Sequence, residues 1–216
     1  MTFERARSDQ NKEIRLNEIK TAAIKLFYEK SFSEISMAGI AKELNFTRGN
    51  LYKYYQTKEA IYLDIILDDI KKWVFDLKER SHNNPAKSIE EFVDLWTDVT
   101  IKNKQLIQLL SIMFTILERN APLENLISFK KSMMLESAQL IEIIQSQINL
   151  SPEDTFKFVN YHVSTSIGLY PVCHPSEVQR EAAKLSGTNY EFMDFRTQFS
   201  DYLTIYLKHL TKNPSN

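Results

Sequence analysis

Apolar residues recur every three or four positions along most of this 216-residue chain, which is the spacing of residues on one face of an α-helix. The first such run contains Leu16, Ile19, Ala23 and Leu26. Four Gly and six Pro are few for a chain of this length, and the alternating pattern of a β-strand is nearly absent. The sequence therefore predicts an all-α fold of about nine to ten helices with short connections.

Polar residues mark where several helices begin and end. Ser36 is a predicted N-cap for a short helix from Met37 to Leu44, and Ser151 precedes a first-turn Pro and two acidic residues, as at many helix starts. Asn45 follows the short helix where a left-handed backbone is needed, which Asn tolerates better than most residues. Further helices are predicted over residues 9–30, 57–81, 88–99, 103–118, 123–148, 152–170 and 190–210, with one short helix from Ser176.

The segment from Ile40 to Lys58 reads as a short helix, a tight turn and a second short helix. Its apolar residues are predicted to hold the two helices together, while the second helix carries too many polar groups to bury. A short helix with basic, amide and phenolic side chains outward suits the DNA major groove. The anchors are Ile40, Ala41, Leu44, Phe46, Leu51 and Tyr55, and the outward residues are Arg48, Asn50, Tyr52, Lys53 and Tyr54.

The charge is distributed unevenly along the chain. Residues 1–58 hold eleven Lys or Arg and seven Asp or Glu, a balance of +4, whereas the remainder holds 16 against 21, a balance of −5. A basic N-terminal part on an acidic body is typical of a protein that presents one end to a polyanion.

A longer set of residues resembles the N-terminal domain of the TetR family of transcriptional regulators. The resemblance runs without interruption from about Arg15 to Tyr62 and is most specific between Gly49 and Lys58. The matching positions are Ile19, Ala22, Ala23, Leu26, Phe27, Phe32, Ile35, Ile40, Ala41, Leu44, Gly49, Leu51, Tyr52, Tyr54, Tyr55, Lys58 and Glu59.

This resemblance implies a helix-turn-helix DNA-binding domain at residues 1–58 and a helical effector-binding and dimerisation domain at residues 59–216. It implies a ligand-responsive repressor that binds a double-stranded, inverted-repeat operator as a homodimer. The effector would bind in the helical body, change the spacing of the two DNA-binding domains and release the DNA.

Ten residues form the predicted DNA-binding site. Arg48 can make a bidentate contact to guanine, Asn50 and Lys53 can reach base edges or phosphates, and tyrosine rings can contact thymine methyl groups. The resemblance implies that Tyr52 and Lys58 hold phosphates and that the helix starts face the DNA. A merely solvated surface helix is the alternative. The full set is Ser36, Met37, Thr47, Arg48, Gly49, Asn50, Tyr52, Lys53, Tyr54 and Lys58.

Soft and aromatic side chains on the central helices are candidate contacts for a small, largely apolar effector. Related regulators enclose their effector in this part of the chain. An ordinary helical core is the alternative interpretation for each of these residues. The candidates are Trp96, Met113, Phe114, Met133, Met134, Tyr161, His162 and Tyr170.

The last two long helices are predicted to form the dimer interface. A broad aromatic stripe lies on the final helix, and Ser164, Ser166 and Gly168 on the helix before it allow close approach. Such a wide apolar surface would be hard to cover within one small domain, although a buried intrachain face would give a similar stripe. The predicted interface residues are Phe195, Phe199, Tyr202, Leu203 and Tyr206.

Other classes of function find little support in the sequence. We expect no enzyme activity, metal site or cofactor, because neither a metal-ligand spacing nor a glycine-rich phosphate loop is present. The single cysteine, Cys173, predicts a reducing compartment, and the absence of long apolar runs predicts a cytoplasmic protein without a membrane partner. The remaining alternative is a helical ligand-binding or adaptor protein that does not bind an operator.

Overall fold

A computed structural model describes residues 2–187, 191–212 and 214, with side chains from residue 10 onward. Every regular element in these ranges is a helix, as predicted. The helices are α1 (Thr2–Glu29), α2 (Met37–Glu43), α3 (Arg48–Tyr52), α4 (Lys58–Asn83), α5 (Ile89–Lys102), α6 (Lys104–Ile112), α7 (Glu118–Asn120), α8 (Leu123–Gln147), α9 (Pro152–Cys173), α10 (Glu177–Leu185) and α11 (Phe195–Lys212).

Several helix ends lie where local signals predicted them. The side chains of Ser36, Ser88 and Ser151 each accept a hydrogen bond from a first-turn backbone N–H, and Thr57 caps α4 in the same way. Ser176 forms a capping box at the start of α10. The predicted start of the last helix at Tyr190 lies outside the described residues.

Some helices differ from their predicted course. Helix α1 begins at Thr2, whereas its predicted start is residue 9. The run after Asn103 continues from α6 through one π-helical turn, Met113–Leu117, into α7. Helix α9 passes through Pro171 and ends at Cys173. A proline near the end of a helix removes one backbone donor without breaking many following turns, so the helix extends two residues beyond it.

The chain divides into two compact units. Unit 1 comprises Met1–Leu67 and Met113–Lys131, and unit 2 comprises Asp68–Ile112 and Ser132–Asn216. In unit 1 the fully buried residues include Ile19, Ala23, Ile40, Leu51 and Ile61. The buried hydroxyl of Tyr62 donates a hydrogen bond of 2.6 Å to the carbonyl of Ala23. This bond fixes the first turns of α4 against α1.

Unit 2 is built around α5, α9 and α11, which pack against one another. Aromatic rings fill the space between them and include both tryptophans of the chain. The cluster consists of Trp73, Phe92, Trp96, Phe158, His162 and Phe199, with ring centroids of neighbouring members 5.0–5.9 Å apart. No helix among the described residues is long and apolar enough to cross a membrane.

Candidate nucleic-acid interface

The turn between α2 and α3 has the geometry that the sequence predicts. Asn45 adopts a left-handed backbone with φ of 54°, which ends α2 and reverses the chain. The next N–H, that of Phe46, donates to the carbonyl of Ala41 across 2.9 Å. Thr47 then caps α3 by accepting a hydrogen bond of 3.2 Å from the N–H of Asn50. The two helices are therefore joined by a turn with defined hydrogen bonds.

Helix α3 has one buried face and one exposed face. Leu51 is fully buried, and the buried Tyr55 just after the helix donates a hydrogen bond of 2.7 Å to Asp64 on α4. These contacts fix the rotation of α3 about its axis. The side chains that remain exposed are those of Arg48, Asn50, Tyr52 and Lys53, together with the Cα of Gly49. Five of the ten predicted DNA-binding positions thus share one solvent-facing surface.

Lys58 has a structural role within unit 1. Its ammonium group donates hydrogen bonds of 2.7 Å to the carbonyls of Phe32 and Ile35, and it lies 4.3 Å from the centroid of the Phe32 ring. A lysine ammonium has three N–H donors. At most one donor is therefore left for the phosphate contact that the family resemblance implies.

The remaining predicted DNA-binding residues have side chains that cap helices or that are partly or fully buried. The hydroxyl oxygens of Ser36 and Thr47 serve as helix caps, the Met37 side chain is buried, and Tyr54 is half-buried. At Met37 the backbone N–H is therefore the group that a ligand could reach, because the first N–H groups of a helix have no intrahelical acceptor.

Acidic partners neutralise part of the positive charge on α1. Arg15 forms an ion pair of 2.6 Å with Glu18, and Lys25 pairs with Glu43 on α2. The ion pair raises the pKa of Lys25 and lowers the pKa of Glu43. On α3, Arg48 and Lys53 are both exposed cations.

Two of the candidate effector contacts lie within the packed core of unit 2. Trp96 donates a hydrogen bond of 3.0 Å from Nε1 to Nδ1 of His162, and the Trp73 ring stacks on the imidazole with centroids 5.0 Å apart. Burial lowers the pKa of His162 to about 3. The neutral imidazole accepts at Nδ1 and therefore carries its proton on Nε2. Trp73, which lies on the apolar run of α4, was not among the candidate effector contacts.

The other candidate effector contacts have varied environments. Met113 is buried in unit 1, where Phe114 is exposed. In unit 2, Met133 is half-buried and Met134 is exposed. The Tyr161 ring lies tilted against Tyr206 and the Tyr170 ring stacks on His174, with centroids 4.4 Å and 4.0 Å apart. The unit 2 members are dispersed over core and surface, so the structure does not gather them around one described cavity.

A cleft in unit 2 was not predicted. It encloses about 630 Å³ near the ends of α4 and α8. Its lining residues are Lys78, Glu79, Ser81, His82, Pro85, Glu142, Ile143, Ser146 and Gln147. The candidate effector contacts were soft or aromatic side chains, whereas most of these residues are charged or hydroxylated.

The predicted dimer residues divide between the two faces of α11. Phe195, Phe199 and Leu203 are buried within their own chain, where α11 packs on α5 and α9. Tyr202 remains 43% exposed and Ile205 61% exposed, and Tyr206 is half-buried. The apolar stripe is wide because it covers an inward and an outward face, and a sequence pattern alone does not separate them.

Helix α9 has an outward face next to that of α11. Ser164 and Gly168 are exposed on it, between the exposed side chains of Phe156 and Val172. Ser166, which was grouped with these small residues, is buried and donates a hydrogen bond of 2.7 Å to the carbonyl of His162. Small residues between larger apolar ones allow a second helix to approach closely.

The described part of the chain is helical and contains a capped helix-turn-helix. The second helix of this motif exposes arginine, asparagine, tyrosine and lysine side chains. These features define the class of helix-turn-helix DNA-binding regulators. Residues 19–65 match the family model of bacterial regulatory proteins of the tetR family. Residues 67–212 match the model of the tetracyclin repressor-like C-terminal domain. The chain belongs to the TetR family of transcriptional regulators. No curated protein sequence matches it.

Solved structures of this family share the fold at low sequence identity. Thermus thermophilus FadR, a TetR family repressor solved with lauroyl-CoA, is 19% identical with a TM-score of 0.59, over 91% of this chain and 93% of that one. FadR from Bacillus halodurans, a fatty acid degradation regulator, is 17% identical with a TM-score of 0.57, over 90% and 95%. A tetR family regulator from Rhodococcus RHA1 is 16% identical with a TM-score of 0.60, over 93% and 98%.

Two glycines allow stability and DNA affinity to be tested separately. A Cβ on Gly39 would lie 3.5 Å from Ser36 Oγ and 3.9 Å from Leu26 Cδ1, and a Cβ on Gly49 would meet nothing within 4 Å. Since Ala is favoured over Gly in helices by up to about 1 kcal/mol, we expect both Gly39→Ala and Gly49→Ala to raise the free energy of unfolding in urea.

The two variants should differ in DNA binding. Gly49 lies on the exposed surface of α3, where an added methyl group would keep a DNA backbone away, whereas Gly39 lies half-buried in α2. We expect Gly49→Ala to weaken duplex binding and Gly39→Ala to leave it unchanged in fluorescence anisotropy titrations. Equal affinities for the two variants would show that DNA does not approach α3 at this position.

Proposed function

We propose that this chain is a repressor that binds an inverted-repeat operator as a homodimer through the exposed face of α3. The observation that carries the proposal is the division of α3 between the buried Leu51 and the exposed Arg48, Asn50, Tyr52 and Lys53. Arginine and asparagine offer bidentate contacts to base edges, while tyrosine and lysine offer donors to phosphates. The ten predicted DNA-binding residues and the domain division at residue 58 are part of this proposal.

The symmetry of the operator follows from the homodimer. Two α3 helices related by a two-fold axis require half-sites related in the same way, about one helical turn or a multiple of it apart. Selection of bound duplexes from a random pool by the full-length protein tests the proposal. We expect the recovered sequences to share a dyad-symmetric site, and enrichment of no common sequence would contradict operator binding.

The homodimer would form through the outward faces of α9 and α11. Replacement of Tyr202 and Ile205 by Glu should give monomers, because it places unpaired charges in the interface at a cost of about 3–5 kcal/mol for each buried charge. Sedimentation velocity across a dilution series measures the dissociation constant. A variant with Glu at Ala138 and Gln139, two exposed positions of α8, adds the same charge and should stay dimeric. A Tyr202/Ile205 variant that stays dimeric would contradict this interface.

We further propose that a small, largely apolar effector binds unit 2 and stabilises a dimer whose DNA-binding domains no longer match the operator spacing. The effector must bind the released form more tightly than the operator-bound form, since equal affinity shifts no equilibrium. Lauroyl-CoA, which the Thermus thermophilus structure contains, is a first probe because its lauroyl chain is apolar, although its coenzyme A part is charged. The proposal predicts that saturating effector weakens operator binding, and that operator DNA weakens effector binding by the same factor.

The second candidate function is a helical ligand-binding or adaptor protein that does not bind an operator. The exposed cations of α3 favour the repressor, because an adaptor has no need for Arg48 and Lys53 on the same surface as Asn50.

A further inference from the structure

Helix α10 is amphipathic and exposes its apolar side. Val178, Ala182 and Leu185 follow one another at spacings of four and three, which places them on one stripe of the helix. All nine residues of α10 are described by the structure, and none of them is buried. Val178 is 79% exposed and Leu185 is 76% exposed. The stripe therefore faces solvent in the single chain.

The sequence nevertheless specifies this helix locally. Ser176 accepts a hydrogen bond from the N–H of Gln179, and the Gln179 side chain accepts one of 2.8 Å from the N–H of Ser176. On the side opposite the stripe, the Arg180 guanidinium lies over the Phe192 ring at 5.4 Å from its centroid. The helix is thus held by its polar side, with the apolar stripe turned outward.

A capped helix of this length is marginal in water without tertiary packing. Exposed apolar side chains at helical spacing indicate a surface that packs against another surface. Both features favour a second surface that covers the stripe.

The position of α10 in the chain indicates what that surface is. It connects α9 to α11, whose outward faces form the proposed dimer interface. Exposed apolar residues also lie at the two ends of this connection, Val172 near the end of α9 and Met193 before α11. A stable interface covers about 800 Å² on each partner, and the stripe of α10 extends the apolar area available on α9 and α11. A two-fold axis presents the same region of both copies to each other.

We propose that α10 packs its Val178, Ala182 and Leu185 stripe against the second copy of the chain. The proposal rests on the homodimer proposed above and adds a second contact region to it. Because the interface is isologous, both α10 helices contribute, and a double substitution removes four side chains from each dimer.

The test compares two full-length double variants with the wild type. Val178→Ser with Leu185→Ser removes the stripe, and Ala183→Ser with Lys184→Ser makes the same number of changes on the other side of α10. We expect the stripe variant to raise the dimer dissociation constant by on the order of 100-fold, from the apolar area that it no longer buries. The control variant should have the same dimer dissociation constant as the wild type. Sedimentation velocity measures the dissociation constants of both variants.

Hydrogen exchange of the α10 amides in the wild type provides a second measurement. We expect protection at concentrations where the chain is dimeric and loss of that protection on dilution to monomer. Unprotected α10 amides in a dimeric wild type would overturn the α10 contact and leave the dimer in place. An unchanged dimer dissociation constant in the stripe variant would do the same. Protection that persists in monomers would overturn it as well, since α10 would then pack on its own chain. A wild type that is monomeric at all concentrations would instead refute the homodimer itself.

Discussion

Replacement of Arg48, Tyr52 and Lys53 by alanine is expected to abolish specific operator binding. Each of these exposed residues can make a base or phosphate contact worth about 1–3 kcal/mol, so the triple variant should lose at least about 100-fold in affinity. The side chains are exposed in the free protein, and substitutions at such positions change stability by about 0.5 kcal/mol or less. Fluorescence anisotropy with a labelled operator measures the affinity, and urea unfolding monitors the fold.

The control for this variant removes a positive charge elsewhere. Lys78 is exposed on the part of α4 that belongs to unit 2, and Lys78→Ala should leave operator affinity unchanged.

Single variants separate the roles of the residues within α3. Arg48→Ala should relax the sequence preference at particular base pairs. Tyr52→Phe should weaken binding to all DNA sequences alike, since phosphates carry no sequence information. Wild-type affinity in the triple variant would refute DNA binding by α3.

A loss of stability between pH 6.5 and pH 5 is expected from the buried imidazole of His162. Its pKa is lowered by burial from 6.5 to about 3 in the folded chain. Over this interval the unfolded chain binds the extra proton, so the free energy of unfolding decreases as the pH falls. The slope for one such group is about 1.4 kcal/mol per pH unit, which gives a loss of about 2 kcal/mol by pH 5.

His162→Gln should remove this slope. A glutamine oxygen can still accept the hydrogen bond from Trp96 Nε1, but the side chain does not titrate. We expect the variant to be less stable than the wild type at pH 7, because the ring packing with Trp73 is lost, and less dependent on pH in urea unfolding. His82→Gln changes an exposed histidine and should follow the wild-type profile. Parallel profiles for the wild type and His162→Gln would contradict this assignment.

The local features of the fold could be predicted from the sequence. Ser36, Asn45 and Thr47 determine the helix-turn-helix through hydrogen bonds within four residues and one left-handed backbone position. The division of α3 into buried and exposed faces likewise follows from the spacing of Leu51 and Tyr55. These signals do not depend on distant parts of the chain.

The faces of long helices could not be predicted in the same way. Phe199 and Tyr202 belong to one aromatic run, yet the first packs on His162 and the second is exposed. That difference depends on where α5 and α9 lie, which spacing on α11 does not reveal. The carbonyls that Lys58 binds lie 23 and 26 residues earlier, and no local pattern links them to it. Assignment of a residue to core, effector site or interface therefore requires the tertiary structure.

In the proposed complex, two α3 helices bind one operator together. The most direct test of this arrangement is to insert five base pairs between the half-sites of a selected operator and measure the affinity of the full-length protein. Five base pairs turn one half-site by about half a helical turn, to the opposite side of the duplex. We predict that affinity falls by about 100-fold or more, to the level of non-specific DNA. Affinity that survives the insertion would contradict a dimer that binds both half-sites at once.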